Sequence, residues 1–129
     1  MKQIFKPGDF KKYRTCVKLE DVARFHGVAV HDVYATFALA RDAEWTTRQF
    51  VLDMKDEDEE GVGTYLQIIH RGPAFVGEEI IFSGTFLSLT DGVLTCSFEA
   101  RVDDRIIATG ETGQKILKLD KIKFLFNHG

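Results

Sequence analysis

Hydrophobic and polar positions follow two different periods along this chain, and the change of period divides it. From Thr36 to Leu52 (TFALARDAEWTTRQFVL) the spacing is helical. Phe37, Ala40, Glu44, Thr47 and Val51 recur at intervals of three and four and share one face. Thr36 is the expected N-cap. After Gly63 the period drops to two. Thr64–His70, Glu79–Leu89, Val93–Val102 and Arg105–Leu119 read as strands, with the hairpin signal Asp91-Gly92 and the turn Asp103-Asp104 between the last three. Ahead of the helix, Lys11 to Leu19 suggests a first strand and Asp21 to Phe25 a helical turn. The stretch from Asp53 to Gly61 carries six acids and one lysine and reads as a self-repelling solvated loop.

Long strands joined by tight turns form an antiparallel meander. One apolar sheet face and one helix to cover imply a strongly curved sheet of about five strands wrapped around a central helix, an α+β fold. At 129 residues with 44% hydrophobic content, positions 1–129 make a single domain with a real core. An edge strand left unpaired and an apolar tail, Ile122 to Phe126, point to a homodimer, with the tail docked on the body or on a partner chain.

Composition narrows the function classes. A net charge of −3 gives no electrostatic case for nucleic acid, and no apolar run reaches the roughly 18 residues that span a bilayer. The N-terminus lacks the apolar segment of a signal peptide. Cys16 and Cys96 are far apart, without CxxC spacing, and read as reduced thiols of a cytoplasmic protein.

Glu44 is the residue that does not suit a core stripe, because a buried unpaired carboxylate is costly or takes up a proton. It is therefore expected to be shielded from water and within reach of His70, unless it lies at the edge of the stripe and reaches solvent. The run Gly63-Thr64, then His70, Gly77, Gly92-Val93-Leu94 and Gly110 resembles the fluoroacetyl-CoA thioesterase family of hot-dog proteins, over about Val28 to Phe126. The resemblance implies a hot-dog fold, a homodimer, and a catalytic set of a threonine before the helix, a glutamate followed by tryptophan within it, and a strand-end histidine. The matching positions are Thr36, Glu44 followed by Trp45, and His70. Two positions depart from the family pattern: Thr36 is followed by Phe37-Ala38, and Gln114 stands where the family has an arginine near the acyl pocket.

Hydrolysis of a thioester needs an activated water or a carboxylate nucleophile, with donors for the developing oxyanion. Glu44 can be base or nucleophile, His70 can orient or protonate, and Thr36 can hold either the glutamate or the carbonyl oxygen. Gly63, Thr64 and Gln114 are the candidate substrate contacts, Gly63 as a point of close backbone approach. The implied substrate is a small acyl-CoA thioester, with coenzyme A as part of the substrate and no separate cofactor. His31-Asp32 lacks the further ligands a metal site needs, and His26 and His128 add no supporting spacing, so no metal is expected. Lys115, Lys118, Lys121 and Lys123 could meet the phosphates of CoA. A hot-dog module that binds an acyl-CoA or similar ligand without turnover is the alternative. A hot-dog dehydratase is a third possibility, but its Asp/His helix-start motif is missing.

Overall fold

The computed structural model describes residues 1–25 and 28–128, the side chains of residues 23–32 and 128 excepted. His26 therefore lies outside the described residues, and so do the side chains of His31, Asp32 and His128.

Strand β1 (Phe10–Cys16) leads into a short 3-10 turn at Leu19–Asp21, then β2 (Val22–Phe25) and β3 (Val28–Tyr34). Helix α1 (Thr36–Met54) follows, then β4 (Glu59–His70), β5 (Glu79–Thr90), β6 (Val93–Val102), β7 (Arg105–Lys118) and α2 (Leu119–His128). Five strands form one antiparallel sheet in the order β1-β5-β6-β7-β4, and β2 pairs with β3 as a separate ribbon. This is the hot-dog arrangement, with α1 packed on the sheet. The expected helical turn at Asp21–Phe25 is that ribbon's first strand instead, entered through the 3-10 turn.

The core lies between α1 and the sheet in two clusters. Tyr34, Leu39, Phe82, Phe98 and Ile107 gather toward the start of α1; Phe50, Met54, Phe86, Leu94 and Ile116 gather toward its end. Two glycines let the layers close. A Cβ on Gly84 would lie 3.1 Å from Thr47 Cγ2, and one on Gly61 would lie 2.8 Å from Val51 Cγ1. Strand carbons at those points would force α1 away from the sheet.

The acidic loop is shorter than expected: only residues 55–58 lie outside helix and strand, with Glu57 and Asp58 exposed. Helix α1 runs on to Met54 and β4 starts at Glu59, which is buried. Its charges are compensated individually: the N-terminal ammonium lies 2.8 Å from Asp56 and 3.0 Å from Glu59, and Lys118 binds Asp58 at 3.1 Å. Self-repulsion read from composition is thus cancelled by cations distant in sequence. The tail forms helix α2, whose Phe126 stays 73% exposed rather than docking on the body.

Candidate active site

The inward face of α1 is Ala38, Leu39, Asp42, Ala43, Thr46, Thr47, Phe50, Val51 and Met54. That face is rotated by roughly a quarter turn from the stripe the apolar spacing suggests. Phe37 and Glu44 are exposed, and only Thr47 and Val51 belong to both sets. The physical reason is that α1 is apolar on two sides: Leu39, Phe50, Val51 and Met54 pack on the sheet with Asp42, Thr46 and Thr47 among them, while Phe37, Trp45 and Leu52 face outward. Hydrophobicity alone therefore does not single out the buried side. Glu44 is not shielded from water in this chain.

Thr36 is the first helical residue, not the cap. The cap is Ala35, which makes no side-chain cap bond, so the helix start leaves the Thr36 hydroxyl free for another role. Its Oγ1 lies 3.3 Å from His70 Nδ1, and both residues are exposed. His70 is fixed there as the last residue of β4, opposite Ala108 of β7. The chain just beyond is pinned, with Arg71 and Gly72 N–H both donating to Ile107 O at 2.7 and 3.1 Å.

Glu44 sits eight residues along α1 from Thr36, roughly 12 Å of helix rise. It opens into a cleft of about 390 Å³ between α1, β4 and β7, lined by Arg41, Glu44, Trp45, Arg48, Gly61, Gly63 and Gln114. A Cβ on Gly63 would lie 3.2 Å from Glu44 Oε1, so the bare backbone there lets the carboxylate lie against β4. Among the described residues the Glu44 carboxylate has no hydrogen-bond or ion-pair partner. Its cationic neighbours are committed elsewhere: Arg48 donates to Glu60 at 2.8 Å, and Arg41 to Asp21 and Asp42, each at 3.0 Å. Burial works against the Glu60 charge, but the Gly61 N–H and Arg48 outweigh it and hold Glu60 below the usual carboxylate range.

A sequence profile described as FlK, fluoroacetyl-CoA-specific thioesterase, matches residues 17–120. The chain belongs to the FlK family. A hypothetical protein of Thermus thermophilus, described as a thioesterase superfamily member, superposes with a TM-score of 0.92 at 28% identity, covering 97% of this chain and 93% of its own. A variant of the fluoroacetyl-CoA-specific thioesterase FlK gives a TM-score of 0.88 at 15% identity, covering 98% of each chain. A hot-dog-like protein from Thermanaerovibrio acidaminovorans gives 0.85 at 17% identity over 97% of this chain and 94% of that one. No curated protein matches the chain in sequence.

Set on this FlK-family frame, the candidate residues fall into two groups. Glu44, Gly63 and Gln114 share the cleft, while Thr36 and His70 pair beyond it. Thr64 belongs to neither. It is the irregular residue between Gly63 and Tyr65 in the β4–β7 ladder, and its hydroxyl lies toward Gly113, 3.3 Å from where a Cβ there would stand. Lys118 is bound to Asp58, and the hydrogen bond it donates to that carboxylate raises its pKa, which removes it from the proposed basic cluster.

Two features escaped the sequence reading. One is the network around Asp42, only 4% exposed, which accepts from the Tyr34 hydroxyl and from Arg41; Arg41 also reaches buried Asp21. Burial, then the hydrogen bond to Asp42, raise the Tyr34 pKa far above its ordinary value, so its hydroxyl stays a donor. The adjacent pair Arg41-Asp42 was the only signal available. The other is a wider cleft of about 590 Å³ across Trp45, lined by Lys11, Lys12, Tyr13, Arg14, Gln49, Leu52 and Asp53. Cys96 is buried and its thiol is pushed up to about 12 by burial, which excludes it as a nucleophile at neutral pH.

Proposed function

We propose that this chain hydrolyses a small acyl-CoA thioester, with Glu44, His70 and Thr36 as its reacting set. The observation that carries the reading is Glu44: a carboxylate without partners among the described residues, facing a cleft in which the bare backbone of Gly61 and Gly63 leaves room beside it. Such a group can take a proton from water as hydroxide adds to the thioester carbon, or can itself attack that carbon. The C–S bond then breaks and the CoA thiolate takes up a proton, which His70 is suited to supply. On the second route the acyl-Glu44 anhydride left behind is cleaved by water, which releases the acid and restores the carboxylate. The Thr36 hydroxyl orients the His70 ring. The chemistry needs no cofactor beyond the CoA carried by the substrate.

The separation of Glu44 from His70 within one chain is resolved in a homodimer. β4 is a sheet edge, and Tyr65, Leu66 and Ile69 are exposed along it. Unpaired apolar edges are satisfied by pairing with a second strand. If the exposed run 63–70 pairs antiparallel with its own copy, Gly63 lies opposite His70 of the partner subunit. Directly opposed residues point to the same face about 5 Å apart. The direction of a Cβ at Gly63 is toward Glu44, so the partner's His70 is directed toward Glu44 as well.

Glu44→Gln keeps shape and hydrogen bonding but removes the basic oxygen, so turnover of short acyl-CoAs should fall about 100-fold or more. Mixing Glu44→Gln chains with His70→Ala chains adds a second reading. A site shared between subunits is rebuilt intact in the mixed dimer and regains activity; a site within one chain is not. Wild-type protein that binds acyl-CoA without releasing thiol would instead favour the binding-module alternative, which the presence of Gln114 at the family's arginine position supports.

A further inference from the structure

Resting on that reading, we infer that the site selects an acyl group bearing a hydroxyl on a short chain, and that the Gln114 side-chain carbonyl is the acceptor that selects it. The inference starts from the floor of the cleft. Gln114 is only 5% exposed, and what remains open faces the cleft it lines. It stands directly opposite Gly63 in the β4–β7 ladder, next to the backbone against which Glu44 lies. A thioester carbon within reach of Glu44 therefore directs its acyl substituent, two or three carbons long, toward Gln114. Cα atoms paired across a ladder are only about 5 Å apart.

The orientation of the amide follows from its neighbours. Thr47 Oγ1 gives its own proton to the helix carbonyls of Glu44 at 3.3 Å and Ala43 at 3.4 Å. It therefore acts as an acceptor toward the sheet, and it accepts from Thr112 Oγ1 at 2.8 Å and Gln114 Nε2 at 3.4 Å. With Nε2 turned to Thr47, Gln114 Oε1 turns to the β4 side, 3.4 Å from where a Cβ on Gly61 would stand. No hydrogen bond to that oxygen exists among the described residues. A carbonyl oxygen that opens into the cleft with unused acceptor capacity loses its water beside an alkyl group, which is costly, and is satisfied instead by a donor. A hydroxyl supplies one. A fluorine or a carboxylate presents only acceptors and gains nothing there.

The test compares isosteric pairs in which a hydroxyl replaces a methyl: glycolyl-CoA with propionyl-CoA, and 3-hydroxypropionyl-CoA with butyryl-CoA. The hydroxyacyl member of at least one pair should show a kcat/KM ten-fold or more above its alkyl partner, since sites built to hydrogen-bond a substrate group reject analogues that lack it. Gln114→Leu should abolish the preference, whereas Gln114→Glu, which keeps an acceptor, should retain it. Equal kcat/KM values within both pairs for the wild type, or a ratio unmoved by Gln114→Leu, overturn the inference. Should no ester be turned over, the failure belongs to the catalytic reading. The same pairs are then titrated by calorimetry into the wild-type protein, where a ten-fold tighter Kd for a hydroxyacyl ester supports the selectivity. Equal affinities, or no binding, overturn it.

Discussion

Two carboxylates stand two residues apart on α1 and live in opposite surroundings. Asp42 is buried, accepts from Tyr34 and Arg41, and shares Arg41 with Asp21, which also accepts from the Lys18 N–H at 3.2 Å. Through these bonds the first half of α1 is tied to the segment that precedes β2. Glu44 faces a cleft and is tied to nothing among the described residues. A carboxylate held by a buried tyrosine and an arginine holds structure. One left open beside Gly61 and Gly63 is available to a substrate or a water. The helix thus separates its structural acid from its proposed chemical one by about half a turn, and substitution should separate them too.

Asp42→Ala should give the largest effect. It removes an acceptor from the buried Tyr34 hydroxyl and loosens Arg41, and breaking a buried, hydrogen-bonded charge typically costs about 3 kcal/mol. For a domain of this size that lowers Tm by about 10 °C. Glu44→Gln should move Tm by no more than about 2 °C, because an exposed, unpartnered side chain contributes little to stability. Thermal unfolding of both variants measures the contrast; a Glu44→Gln loss as large as that of Asp42→Ala would erase it.

How far the sequence could reach is visible in the same two residues. β5 and β6 were legible because buried and outward positions alternate along them, and β7 because the turns Asp91-Gly92 and Asp103-Asp104 mark out the meander. The helix was legible as a helix but not in its orientation, since Asp42 and Thr46 face in among Leu39, Phe50 and Met54 while Phe37 and Trp45 face out. Local spacing fixes a helix's orientation only when apolar residues are confined to one face. Thr36 opposite His70 could be expected only through the family spacing, because the two are 34 positions apart and meet by sheet register. The start of β4 was hidden by its acids, whose compensating charges, the chain amine and Lys118, are remote in sequence.

Thr36→Ala sharpens the contrast at an intermediate scale. The Thr36–His70 pair is exposed, and 3.3 Å is a long contact, so its loss should cost little stability. If the hydroxyl orients His70, turnover should drop by about ten-fold, the scale of one net hydrogen bond. Thr36→Ser keeps the hydroxyl and should restore most of the rate. Equal losses from both variants would show that the methyl group, not the hydroxyl, matters at this position.

The smallest expected effect lies across Trp45, which is 44% exposed and rims both clefts. On that side Lys12, Lys11 and Arg14 line the wider cleft; Arg14 is paired with Glu79 and Lys11 with Asp53. Among the described residues Lys12 has no carboxylate partner; its ammonium lies 5.8 Å from the centre of the Phe10 ring. If the phosphates of CoA lie along this cleft while the thioester reaches Glu44, Lys12 is the cation most available to them. Lys12→Glu should then raise KM for an acyl-CoA by about three-fold at low ionic strength and leave kcat unchanged, because a remote contact is made equally in ground and transition states. Added salt should shrink the difference, as expected for exposed charges about a Debye length or less from their partner. An acyl-pantetheine ester, which lacks the nucleotide, should not distinguish Lys12→Glu from the wild type. If that shorter ester shows the same rise in KM, the charge acts through the fold of β1 rather than on the phosphates, and the nucleotide end of the substrate lies elsewhere.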